Sequence, residues 1–69
     1  MKLSARNQFH GTVKSVKFGN VMAEVVVDIG GGHEVVSAIT RGSAEHLGLT
    51  QGSPVTVIVK ATEVILAKD

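Results

Sequence analysis

The sequence predicts an all-β fold, a small OB-like barrel of five strands with one short helix. The first support is composition: twelve Val and four Ile dominate the apolar residues, and β-branched side chains favour strands over helices. The second is pattern, because apolar residues alternate or cluster in five runs separated by turn-forming residues. The only helical stretch lies between the third and fourth runs, an arrangement typical of OB-like barrels.

The predicted strands cover about 8–18, 21–29, 33–41, 55–60 and 61–66. The first has the weakest alternation, and Gly11 indicates a bulge or bend within it. The second and third flank Gly30–Gly32, so we expect a β-hairpin there. The fourth alternates cleanly and continues directly into the fifth.

A short helix is predicted between the third and fourth strands. Thr40 or Ser43 can cap its N-terminus, because a hydroxyl accepts a hydrogen bond from a backbone N–H of the first turn. The helix is expected to continue to about Leu47. Gly48 suits the left-handed residue that commonly follows a helix end.

The length of the chain predicts association. Sixty-nine residues make a single domain, 1–69, and a core of that size is marginal on its own. The absence of Cys excludes disulfides and thiolate metal sites, and the three His residues show no ligand spacing. The chain is nevertheless apolar, with 43% hydrophobic residues and a mean hydropathy of +0.27. We therefore expect a homo-oligomer.

Composition also bears on location and partners. No apolar run approaches the roughly 18 residues of a spanning helix, and no apolar stretch follows the charges at the N-terminus, so we expect a cytoplasmic protein without membrane contact. A net charge of +1 and only two aromatic residues, both Phe, argue against nucleic-acid binding. A nucleic-acid-binding OB-like module remains the alternative function.

The sequence contains no catalytic motif. It lacks a recognisable set of nucleophile, imidazole base and orienting carboxylate. Gly30–Gly32 is not followed by the helix that phosphate-binding loops require. We expect a binding protein rather than an enzyme.

Small donors and cations cluster near both ends of the chain. One cluster holds Ser4, Arg6 and Asn7, and the other holds Lys60, Ala61 and Thr62. A tetrahedral dianion offers only acceptor oxygens, so its site needs hydroxyl, amide, guanidinium or ammonium donors and no carboxylate close by. Both clusters meet that description. Lys60 has an alternative interpretation, as an ordinary exposed lysine at a strand end with no ligand to bind.

Four segments resemble the molybdate-binding Mop domain, whose single-domain members are called molbindins. The resemblance is strongest at Ser4-Ala5-Arg6-Asn7-Gln8, which is similar to the opening motif of the family. It extends without gaps from about Leu3 to Ala67. The further matching segments are Val21–Val26, Ile39-Thr40 with Ser43 and Leu47–Leu49, and Val59–Val64.

The resemblance implies an OB-like barrel whose strands are exchanged between two chains, with dimers assembling into a hexamer. It implies that molybdate or tungstate binds at subunit interfaces through hydrogen bonds alone, with no cofactor and no direct metal ligand. The implied role is cytoplasmic storage or buffering of the oxyanion. The implied binding residues are Ser4, Arg6, Lys60, Ala61 through its backbone, Thr62 and, from a neighbouring chain, Thr40 and Ser43.

Overall fold

A computed structural model describes all residues 1–69 and confirms the all-β class with one short helix. Four strands form a single antiparallel sheet in the order β3-β2-β1-β4. The elements are β1 (Asn7–Phe18), β2 (Met22–Gly30), β3 (His33–Thr40), α1 (Arg41–His46), β4 (Pro54–Val59) and a 3₁₀ turn at Ala61–Glu63.

The long strand β1 pairs with two different neighbours. Its first half, from Asn7 to Thr12, pairs with β4, and its second half, from Thr12 to Phe18, pairs with β2. A bulge between Val13 and Ser15 shifts the register with β2. Because bulges bend a strand and increase its twist, the sheet curls as an OB-like barrel does. The two outer strands, β3 and β4, do not pair, so the barrel is open in the single chain.

Gly11 lies where β1 passes close to β2. A Cβ added at this position would lie 2.6 Å from the carbonyl oxygen of Asp28 and 2.7 Å from Cγ1 of Val27. The sequence predicts a bulge or bend at Gly11, and the bulge lies two to four residues farther along, at Val13/Ser15. At Gly11 itself, glycine is needed because a side chain would clash with β2 at this close approach.

The β2–β3 hairpin forms at the predicted glycines. Gly30 pairs with His33, and the two residues between them, Gly31 and Gly32, have φ angles of 63° and 79°. Positive φ at both central residues is what a type I′ turn requires, and this turn matches the right-handed twist of the strands.

Helix α1 begins and ends as its sequence predicts. Thr40 is the N-cap, and its Oγ1 accepts a hydrogen bond of 3.1 Å from the backbone N–H of Ser43. At the other end Gly48 has φ +64°. The N–H of Leu49 donates to the carbonyl of Ala44 at 3.1 Å, which closes a Schellman motif. No helix in the structure has the length and apolar character needed to span a membrane.

The core is small for a protein of this apolar content. Only five residues are buried, and Val13, Val25 and Val27 form the central cluster. The accessible surface is 5607 Å², whereas a compact monomer of 7.2 kDa exposes about 4,100 Å². Twelve large apolar side chains are exposed.

The prediction of a fifth strand over 61–66 is wrong for the single chain. After β4 the backbone turns through a 3₁₀ turn at Ala61–Glu63 and then runs without pairing to any strand. Ile65 and Leu66 are 92% and 88% exposed. The apolar pattern that suggested a strand is present, but a strand needs a hydrogen-bonding neighbour, and this chain offers none to these residues.

Candidate functional site

The two predicted donor clusters lie together in one cleft. β1 and β4 are antiparallel, and Asn7, the first residue of β1, pairs with Val59, the last of β4. The segment before β1 therefore lies beside the segment after β4. The cleft between them has a volume of about 480 Å³ and is lined by Ser4, Ala5, Arg6, Asn7, Lys60, Ala61 and Thr62.

The two walls of the cleft are held by different means. The wall after β4 is a 3₁₀ turn, in which the N–H of Glu63 donates to the carbonyl of Lys60 at 2.8 Å. The wall before β1 contains no regular structure. Its hydrogen bond comes from Gln8, whose Nε2 donates to the carbonyl of Ala5 at 2.7 Å.

The cleft is positively charged and carries no carboxylate. Arg6 and Lys60 line it, and no acidic residue does. Neither cation forms an ion pair, since both salt bridges of the chain lie elsewhere. Their charge is therefore available to an anion, and the exposed hydroxyls of Ser4 and Thr62 add uncharged donors. This is the donor set that a tetrahedral oxyanion requires.

Asn7 also lines the cleft and is half-buried. It belongs to the donor cluster recognised in the sequence but is absent from the set of predicted binding residues. Its amide can donate two hydrogen bonds. Its position at the junction of the two walls makes it a further candidate donor.

Thr40 and Ser43 lie apart from this cleft. Thr40 pairs with Met22, next to the end of β1 that carries Phe18, whereas the cleft adjoins the end that carries Asn7. The two hydroxyls contact each other, with Oγ1 of Thr40 donating to Oγ of Ser43 at 2.7 Å. The structure thus brings together five of the seven predicted binding residues and separates these two.

Two cations outside the cleft have local partners. Nε of Arg41 donates to Glu45 at 2.7 Å, and its guanidinium lies 5.4 Å from the ring centroid of Phe18. Lys14 donates a hydrogen bond to Glu34, and this bond and the carboxylate charge raise the pKa of Lys14. Both cations are therefore less available to a ligand than Arg6 and Lys60.

Nothing in the structure suggests a metal centre, since no three His, Cys, Asp or Glu side chains lie close enough to hold an ion. The nearest approach to a nucleophile–base pair is Thr56 Oγ1 with His10 Nδ1, at 3.2 Å. This pair lies outside the cleft, and His10 has no carboxylate partner to orient it.

Comparison with known proteins identifies the family. A model of the TOBE domain matches residues 3–66. Molybdenum-pterin-binding protein 2 of Clostridium pasteurianum is 46% identical over 66 residues, which are 96% of this chain and 97% of that protein. The structure of a molybdate-binding protein from Sporomusa ovata superposes with a TM-score of 0.92 at 47% identity, covering 99% of this chain and 100% of the other.

A third relative is larger. The cytoplasmic molybdate-binding protein ModG, crystallised with molybdate bound, superposes with a TM-score of 0.85 at 48% identity, over 88% of this chain and 43% of the other. The TOBE match over residues 3–66 includes both walls of the cleft and the whole sheet. The chain therefore belongs to the TOBE domain family, and within it to the Mop-type proteins.

Proposed function

We propose that this protein binds molybdate in the cleft between residues 4–7 and 60–62. We propose that it also binds tungstate there, because tungstate is nearly the same size. The observation that carries the proposal is the meeting of Arg6 and Lys60, both without ion-pair partners, in a cleft that has no carboxylate. The relatives, which are molybdate-binding and molybdenum-pterin-binding proteins, support this choice of oxyanion.

We propose further that a second chain completes the site. One liquid water occupies roughly 30 Å³, so a cleft of about 480 Å³ is far too large for an anion with four oxygens. Burying an under-coordinated dianion is prohibitive, so further donors must close the cleft. Thr40 and Ser43 can supply them from a neighbouring subunit, because in their own chain they lie at the other end of β1.

Storage or buffering of the oxyanion in the cytoplasm is the role that we propose for such a site. The cleft holds hydrogen-bond donors, and the Thr56–His10 pair lies outside it, so we propose binding without catalysis. Nucleic-acid binding is not favoured: Phe9 and Phe18 lie at opposite ends of β1 and do not form a stacking surface.

Anion selectivity tests the proposed function. Calorimetric titration should show that molybdate and tungstate bind more tightly than sulfate by about tenfold or more, equivalent to about 1.4 kcal/mol. The physical reason is that a rigid interface fits one anion radius best and leaves donors unpaired around a smaller one. Phosphate serves as a second control anion. Equal affinity for sulfate and molybdate would exclude a size-selective molybdate site.

The oligomeric state tests the proposed shared site. The exposed apolar residues of the single chain, among them Val21, Ile65 and Leu66, should be covered in a dimer or hexamer. Native mass spectrometry and sedimentation at micromolar concentration should therefore show an assembly with or without molybdate. A stable folded monomer that binds molybdate under the same conditions would contradict the shared site.

A further inference from the structure

We propose that Gln8 is a positioning residue, which holds Ser4 and Arg6 in place for the oxyanion without contacting it. The inference rests on the proposed function and deepens it by identifying what orders one wall of the cleft. Nε2 of Gln8 donates to the carbonyl of Ala5 at 2.7 Å. Gln8 itself is not among the residues that line the cleft.

The wall before β1 depends on this single hydrogen bond. None of the ten backbone hydrogen bonds outside the helices and strands involves residues 1–6. Among the side-chain hydrogen bonds, only that of Gln8 reaches this segment. The opposite wall, by contrast, is closed by backbone bonds from Glu63 to Lys60 and from Val64 to Ala61. One wall is thus ordered by its backbone and the other by one side chain.

The position of Gln8 suits this role. It is the second residue of β1 and pairs with Ile58 of β4, so its backbone is part of the sheet. Its side chain reaches back three residues to Ala5, which lies between Ser4 and Arg6. Fixing the peptide group that joins Ala5 to Arg6 limits the directions that the neighbouring side chains take. A binding segment ordered in advance loses less conformational entropy when the ligand binds.

Replacing Gln8 by Ala should weaken molybdate binding by about fivefold, the factor expected for one intramolecular hydrogen bond of ordinary strength. Gln51→Ala is the matched control, because Gln51 is the only other glutamine, is exposed and forms no side-chain hydrogen bond. Gln8→Ala retains Arg6 and Lys60, so the salt dependence of the affinity should stay that of the wild type. Arg6→Ala removes a charge and should reduce that salt dependence.

A double variant separates positioning from direct contact. If Gln8 acts through the segment that carries Arg6, the loss caused by Gln8→Ala should shrink when Arg6 is already Ala. Full additivity of the two losses, or an altered salt dependence in Gln8→Ala, would overturn the proposal.

A measurement without ligand tests the hydrogen bond itself. In Gln8→Ala, NMR order parameters of residues 4–6 should fall while those of β1 and β4 stay unchanged. Gln8→Glu keeps the side-chain shape but loses the donor, so it should mobilise the same residues. Unchanged order in both variants would overturn the proposal. This result does not involve molybdate, so it stands apart from a failure of the proposed function, which would appear as absent binding by the wild type.

Discussion

Arg6→Ala and Lys60→Ala should each weaken molybdate binding by about tenfold or more, equivalent to about 1.4 kcal/mol. Arg6 and Lys60 are the only two cations that line the cleft, so each variant leaves the dianion with a single charged donor from this chain. In the proposed shared site the loss is larger than at an exposed surface, because water does not replace a charged partner lost from a desolvated interface. Calorimetry at a fixed protein concentration measures the effect directly.

Reversing the charge of Lys60 should weaken molybdate binding more than removing it. Lys60→Glu places a carboxylate against the anion, and we expect no measurable molybdate binding. Lys17→Ala is the control, since Lys17 is an exposed β1 lysine that lies outside the cleft. The proposed assembly should persist in all these variants, because we expect the exposed apolar side chains to hold it. Wild-type affinity in Lys60→Ala would instead support the view that this lysine is an ordinary exposed residue at a strand end.

Gly11→Ala should destabilise the fold by about 3 kcal/mol. The new methyl group would meet the Asp28 carbonyl oxygen at 2.6 Å and Val27 Cγ1 at 2.7 Å. The first contact is with backbone in a paired strand and the second is with a core side chain, so neither yields easily. Urea denaturation at fixed protein concentration should show the loss, since the stability of an assembly depends on subunit concentration.

Gly42→Ala is the matched control for this prediction. Gly42 lies within α1, and a Cβ there would meet no atom within 4 Å. Ala is favoured over Gly in a helix interior by up to about 1 kcal/mol. The same substitution should therefore stabilise the protein at Gly42 and destabilise it at Gly11. If Gly11→Ala were as stable as the wild type, the close packing of β1 on β2 would be contradicted.

The sequence by itself determined the features that depend on neighbouring residues. The β class follows from its many β-branched side chains, and the hairpin follows from Gly31-Gly32, whose positive φ angles a type I′ turn requires. The ends of α1 follow from Thr40 and Gly48. The two donor clusters were also recognisable, because the types of their side chains already indicate an anion. Local patterns suffice where the physical cause is itself local.

Only the tertiary structure decided how these parts meet. The pairing of Asn7 with Val59 joins residues far apart in the chain and places the two donor clusters in one cleft. No local pattern encodes that register, and none showed that Gln8 orders the first cluster. The residues after β4 carry an apolar pattern like that of a strand, yet they stay unpaired because β-structure requires a neighbouring strand. Thr40 caps α1 and Ser43 lies in the first turn of that helix. Both are far from the cleft because Thr40 pairs with Met22, beside the end of β1 that carries Phe18.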